Sequence, residues 1–304
     1  MDEAHRVTPR LAEGAGLSMA AVAFLGTGLM GAALAEAAAK RGDSVAAWNR
    51  TTAKAKALEA FGVRAAATVP DAVRGAERVH VMLADDAAVD SVLEAAGDGL
   101  RSVIVVDHST TSPAGTAERA KRLEGRGVAF LHAPVFMTPQ MCRQSSGMML
   151  AAGPRATFAR AEAALRAMTG RLEYLGERRD LASANKLFGN AMIIALCGGL
   201  ADVYAMAASL GIDATEAHAL FGKFNPTAVL DYRGAAMARG DYTPTFELMM
   251  ARKDARLMIE AARGGELAVL PAIAKRMDAL IGRGFGADDM GILAIDAVPK
   301  KPSR

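Results

Sequence analysis

The sequence predicts an α/β chain in two parts, a doubly wound parallel-sheet domain followed by an all-α domain, on three observations. Short apolar runs alternate with helical stretches from Met19 to about Asp180, the pattern of βαβ units. A Gly-x-Gly-x-x-Gly turn, Gly26 to Gly31, follows the first of those runs directly. Beyond Leu181 the strand signal disappears.

Taken in order, Ala20–Leu25 reads as a buried strand and Leu29–Arg41 as the helix after the glycine turn. Ser44–Trp48 is a second strand and Thr52–Ala60 a helix. Val79–Leu83, Val103–Val106, Val128–Leu131 and Met148–Ala151 complete the strand set. Ser112-Pro113 offers a cap with proline at the first helical position. Leu181–Leu210 reads as one helix, roughly 45 Å long at 1.5 Å per residue, stopping at Gly211. Gly198 and Gly199 weaken it intrinsically, so close packing against another helix is predicted there. Asp213 to Glu216 has capping-box spacing, and further helices are predicted over Asp213–Phe221, Phe246–Arg263 and Pro271–Ile281. The domains expected are a flexible extension over residues 1–18, a Rossmann domain over 19–180 and a helical substrate and dimerisation domain over 181–304.

A chain of 304 residues, 52% hydrophobic and 23% charged, is long enough for about two packed domains. A net charge of +3 and the lack of any recognition signature argue against nucleic acid. Cys142 and Cys197 belong to no Cys-x-x-Cys pair, so two packing residues in a reducing cytosol are expected. The five histidines show no ligand spacing, and no metal is expected. The first eighteen residues lack the apolar core of a signal peptide. No window holds roughly 20 uninterrupted apolar residues, so neither a membrane nor any location but the cytoplasm is predicted.

The turn Gly26-Thr27-Gly28-Leu29-Met30-Gly31 carries the first chemistry. Its glycines allow a tight turn, close backbone approach to a pyrophosphate and helix–strand packing, while the helix N-terminus offers free N–H groups to the anion. The second strand then ends in Trp48-Asn49-Arg50-Thr51. NAD-selective sites carry a carboxylate here for the ribose 2′-hydroxyl. Here none is present, and the Arg50 guanidinium can pair with a 2′-phosphate; Thr51 and Lys54 add donors. The cofactor predicted is NADP(H).

These residues, with Asp107-His108-Ser109-Thr110, Ala133-Pro134-Val135, Lys186 with Asn190, and Lys253-Asp254, resemble the β-hydroxyacid dehydrogenases. That family includes 3-hydroxyisobutyrate dehydrogenases, glyoxylate/succinic semialdehyde reductases and, more distantly, imine reductases. The resemblance spans nearly all of the chain after Met19. It implies that Lys186 is catalytic, since an ammonium can protonate or stabilise the alkoxide that forms as hydride reaches a carbonyl. Asn190, four residues on, shares its helical face and would orient substrate or lysine. The resemblance also implies that Leu83 and Ala84 meet the cofactor by backbone, that Ser109 and Thr110 approach nicotinamide and substrate, and that Lys253 reaches the cofactor.

Two positions depart from the family pattern. Its Lys-x-x-Asn-Asn motif reads Lys186 to Asn190 here with Gly189 in place of the first asparagine. Its substrate loop, Asp-Ala-Pro-Val-Ser-Gly-Gly, reads His132-Ala133-Pro134-Val135-Phe136-Met137-Thr138. Pro134, Val135, Phe136 and Met137 are therefore expected to line a larger, less polar substrate site, and that loop resembles imine reductases, which commonly lack the lysine. The function predicted is NADPH-dependent, reversible reduction of a small carbonyl to a 3-hydroxy-acid-like alcohol. An imine reductase or reductive aminase on a bulkier substrate, and a non-catalytic dinucleotide-binding module, are the alternatives. The apolar Leu181–Leu210 helix predicts a homodimer or homotetramer.

Overall fold

The computed structural model describes residues 20–300; the predicted extension over 1–18, and Met19, lie outside them. The chain divides into two compact units that meet between Gly189 and Asn190.

The first unit is built on one sheet. Its strands are β1 (Ala21–Leu25), β2 (Ser44–Trp48), β3 (Arg64–Ala65), β4 (Arg78–Val81), β5 (Ile104–Asp107), β6 (Ala129–His132), β7 (Val135–Phe136), β8 (Met148–Ala152) and β9 (Arg171–Gly176). They lie in the order β3-β2-β1-β4-β5-β6-β8-β7, with β9 paired to β8. The first six are parallel, while β8 runs antiparallel to β6 and β7 and parallel to β9. The helices are α1 (Leu29–Lys40), α2 (Thr52–Lys56), α3 (Val69–Val73), α4 (Asp86–Ala96), α5 (Pro113–Gly125), α6 (Pro139–Arg143) and α7 (Arg155–Arg166).

Alternate residues of β1 point to opposite faces, and both faces are buried. Val22 and Phe24 join a cluster with Leu34, Phe158 and Leu165; Ala23 and Leu25 join another with Leu93, Val105 and Leu123. Burial on both sides is why the strands read as continuous apolar runs. The order of strands reverses between β1 and β4, which opens a crevice at the carboxyl ends of β1, β2 and β4, where such sheets bind ligands.

The strands β3, β7 and β9 were not predicted. Two of them are only two residues long and carry no periodicity; β9 alternates charged and apolar residues, Arg171-Leu172-Glu173. The helix predicted over Thr52–Ala60 ends at Lys56, and a 3-10 turn, Glu59–Phe61, closes on Gly62 in the left-handed region, φ +82°. Ser112 caps α5 as predicted, its hydroxyl accepting from Gly115 N at 3.1 Å.

The helix α8 (Leu181–Ser209) begins in the first unit and continues into the second, where α9 (Ala214–Ala219), α10 (Ala235–Ala238), α11 (Leu248–Ala261) and α12 (Leu270–Gly282) follow. Tyr242, Leu248, Ala255, Met277, Leu280 and Ile292 form the core of that unit. Among its described residues the only β pairing is an isolated bridge, Glu247 to Asp289. Buried Asp289 accepts from Gly291 N, Thr245 N and Phe246 N and pairs with Arg233 at 2.8 Å. Those donors hold its carboxyl far below the usual carboxylate range.

By length and composition α8 could cross a membrane, although little of its apolar stretch is buried. Its Asp202 is buried and accepts from the backbone N–H groups of Ala268, Val269 and Leu270, which caps α12. Gly198 is the close approach predicted: a Cβ there would lie 2.7 Å from Val269 Cγ1. Gly199 faces open space. Asp213 accepts from Thr215 N at 2.8 Å, an Asx turn in place of the predicted box with Glu216. Of the two cysteines, Cys142 is buried, with its thiol pushed up to about 11; Cys197 is exposed on α8, so it is not the packing residue predicted.

Candidate active site

A cleft of about 580 Å³ lies at the crevice, lined by Gly26, Gly28, Leu29 and Met30 after β1 and Trp48, Asn49, Arg50, Thr51 and Lys54 after β2. Met82, Leu83 and Ala84 after β4, and Ala88, Ser91 and Val92 of α4, close it. The volume suits a cofactor or other small ligand. Its lining holds two cations, Arg50 and Lys54, and no carboxylate.

The glycines do separate work in the turn. Gly26 has φ +99°, and a Cβ on it would fall 2.3 Å from Met82 O; one on Gly31 would fall 2.0 Å from Gly26 O. Both distances forbid any side chain. Gly28 differs, because a Cβ there meets nothing within 4 Å. It is the N-cap of α1, and no side chain caps that helix. The N–H groups of the first turn are therefore left uncapped beside the cleft that Gly28, Leu29 and Met30 line, as an anion site requires. Thr27 Oγ1 is buried without a partner among the described residues, while Thr27 N donates to Asn49 Oδ1 at 3.0 Å. Asn49 also donates to Thr51 O, so its amide ties the glycine turn to the end of β2. These features fit a dinucleotide.

The loop after β5 is held by buried polar groups. Ser109 is fully buried; its hydroxyl accepts from Leu83 N at 2.9 Å and its N–H donates to Asp107 Oδ1. Two residues predicted to meet the ligand thus brace one another across β4 and β5, and the exposed group here is Thr110. Asp107 lies 3.5 Å from Arg119, which is fully buried and also pairs with Asp86 and Asp90 at 2.8 Å each. His132 Nε2 donates to Ser109 O at 3.0 Å. His108 Nδ1 donates to Ala133 O at 2.7 Å, which leaves its Nε2 to accept from His80 Nδ1 at 3.0 Å. Burial lowers all three imidazoles, His108 to about 4. They are neutral at pH 7.

Lys186 lies in the first turns of α8. Ser183, one turn earlier, donates its hydroxyl to Thr111 O and so anchors the helix to the β5 loop. The lysine is only 9% exposed, and among the described residues no carboxylate pairs with it. Its ammonium lies 3.9 Å from the centre of the Phe136 ring, and burial holds its pKa below the ordinary lysine value.

The rest of the substrate loop behaves differently from Phe136. Pro134 and Val135 are buried, and Met137 turns toward Cys142, sulfur to sulfur 3.7 Å. Asn190 is one turn beyond Lys186 and half-buried, and Lys253 lies in the second unit, paired with Asp254 at 2.9 Å. The residues that sequence reasoning missed are the α4 wall, Ala88, Ser91 and Val92, and the Arg119 cluster. The first was legible as i, i+3, i+4 spacing on one helical face; the second had no local signal.

A glycine turn open to an anion, at the switch point of a doubly wound sheet, defines a dinucleotide-binding domain. Residues 21–176 match the NAD binding domain of 6-phosphogluconate dehydrogenase, and the chain belongs to that family. Glyoxylate/succinic semialdehyde reductase 1 of Arabidopsis thaliana is 28% identical over 286 residues, 90% of this chain and 96% of the relative. A reductive aminase from Aspergillus terreus, solved with NADPH and ethyl-5-oxohexanoate, superposes with a TM-score of 0.84 at 27% identity over 92% of this chain and 99% of its own. An imine reductase of Streptomyces aurantiacus does so with a TM-score of 0.84 at 26% identity, over 92% of this chain and 100% of its own. The protein is thus an oxidoreductase with an NAD(P)-binding domain, in the group that spans β-hydroxyacid dehydrogenases and imine reductases.

Proposed function

We propose that the protein is an NADPH-dependent reductase of aldehydes or ketones with an apolar body, in which Lys186 delivers the proton. The observation that carries this is the Lys186 ammonium, buried, paired with no carboxylate among the described residues and lying on the Phe136 ring. A desolvated ammonium gives up its proton more readily than one in water, and the oxygen that turns negative during reduction is its natural acceptor. Bound NADPH would supply the hydride. Arg50 and Lys54, with no carboxylate in the cleft lining, support the phosphorylated cofactor over NADH.

The loop argues for an apolar substrate. Val135 and Phe136 are paired to Met149 and Met148 in the sheet, and Met141 N donates to Thr138 Oγ1. Phe136 and Met137 stand where the family pattern has its serine and first glycine, so side chains occupy the space in which that pattern cradles a substrate carboxylate. A C=N substrate is the second reading, favoured by this loop and by likeness to the reductive aminase and the imine reductase; Lys186 would then protonate nitrogen.

The test is NADPH oxidation with an aromatic aldehyde, a carboxylate-bearing semialdehyde and a cyclic imine, in the wild type and in Lys186→Ala. We expect the highest kcat/KM on the aromatic aldehyde and a loss of about 10²–10⁴ in the variant. Turnover within a few-fold of wild type in Lys186→Ala would remove the lysine from the chemistry. We further propose a second copy of the chain as the cover for the exposed apolar residues of α8, among them Phe188, Ile193 and Ile194, because a self-associating face needs only itself. A monomeric mass by light scattering would exclude that.

A further inference from the structure

The two departures from the family pattern, Phe136 and Gly189, touch each other. A Cβ on Gly189 would lie 2.4 Å from Phe136 Cζ and 2.6 Å from Cε1. Real Cβ atoms never approach that closely, so any other residue at 189 must displace the ring. The root of the ring is held: Phe136 is paired to Met148 in the sheet and packs against the cluster of Leu150, Ala152 and Ala182. Lys186 and Gly189 are three residues apart on α8 and share a face. One aromatic ring therefore lies along that face, its π surface under the ammonium and its edge against the bare backbone at 189.

We propose that Phe136 and Gly189 act together as the positioning unit for Lys186, the ring seating the ammonium and the missing Cβ giving the ring its place. This rests on the reading of Lys186 as proton donor. Glycine inside a helix is unfavourable relative to alanine, and here the close approach accounts for it. A free lysine side chain samples many rotamers, and fixing it costs that entropy. A ring 3.9 Å away fixes the nitrogen without a carboxylate, which would otherwise hold the proton back. The cation–π attraction also compensates part of the lost hydration. Neither residue contacts the reacting atoms in this account; both act through the lysine.

The experiment places Gly189→Ala in the wild type and in Phe136→Ala. Alone, Gly189→Ala should lower kcat about tenfold or more, because small misplacements of a catalytic group are costly, while the KM for NADPH stays within about twofold. In the Phe136→Ala background the same change should alter kcat by less than about twofold, since its steric partner is gone. A Gly189→Ala enzyme with wild-type kcat, or an equal loss in both backgrounds, would overturn the proposal.

A second measurement does not depend on turnover. Competitive acetylation of Lys186 across pH 7–10, read by mass spectrometry on folded protein, reports how well the amine is shielded. Phe136→Ala should label at least about fivefold faster; unchanged labelling would overturn the seat. If Lys186→Ala keeps its activity while the labelling shifts, the seat stands and the catalytic reading falls instead.

Discussion

The glycine turn after β1 and the surroundings of Lys186 lie in the same unit, yet they are built by opposite means. In the turn, function is carried by backbone: two glycines exclude side chains at 2.3 and 2.0 Å, and a third leaves the N-terminus of α1 open. Around Lys186, function is carried by side chains brought from distant parts of the chain. Phe136 supplies the ring, Gly189 the clearance, Ser183 the anchor, and Asp107, Arg119 and the buried histidines the support beneath. A backbone device survives most changes around it and fails at single glycines. A side-chain device tolerates local change but depends on every buried polar partner remaining paired.

The sharpest way to break this contrast lies within the turn itself. Gly31→Ala forces a Cβ against Gly26 O, and we expect loss of soluble protein or a fall in Tm beyond about 10 °C. Gly28→Ala meets open space, so its Tm should hold within about 2 °C while NADPH affinity falls about tenfold. Thermal melting and fluorescence titration read both. Equal melting losses would show that the turn is no more than packing.

Acid should act on the other region. Above pH 6.5 the buried imidazoles are neutral in both folded and unfolded chains, so their stabilising contribution is complete. As pH falls, the unfolded chain takes up protons near 6.5 while the folded chain resists, His108 down to about 4. Unfolding free energy from urea titrations should drop by about 1.4 kcal/mol per pH unit for each histidine so held. A flat profile between pH 6.5 and 4 would mean that the His80–His108–Ala133 chain opens readily to water.

The smallest effect expected is on cofactor choice. Arg50 is exposed, and Arg50→Ala should reduce the preference for NADPH over NADH by about tenfold, one charge-assisted contact, with Tm unchanged. Measured kcat/KM ratios for the two cofactors decide it. An unchanged ratio would move the discrimination to Lys54 or Thr51.

How much of this was legible follows the same division. The strands β1, β2, β4, β5, β6 and β8 and the helices α1, α8, α11 and α12 were readable because burial on both sheet faces leaves apolar runs and a helix leaves its period; α4 and α7 were not singled out. The short strands β3 and β7 leave too few residues for either. The glycine turn was readable because backbone requirements appear directly as residue type. Phe136 and Gly189 were visible as departures from a pattern, but nothing in the order of residues said that they meet.

By itself, then, the sequence determined a doubly wound sheet followed by helices, a dinucleotide turn, a basic end to β2 and a lysine near the start of α8. Local backbone geometry and hydrophobic period are properties of neighbouring residues, so the chain displays them. Only the tertiary structure decided that Ser109 braces Leu83, that Asp202 caps a helix starting 68 residues away, and that the lysine lies on an aromatic ring. Those outcomes depend on contacts between segments far apart in the chain, and distance along a sequence carries no record of them.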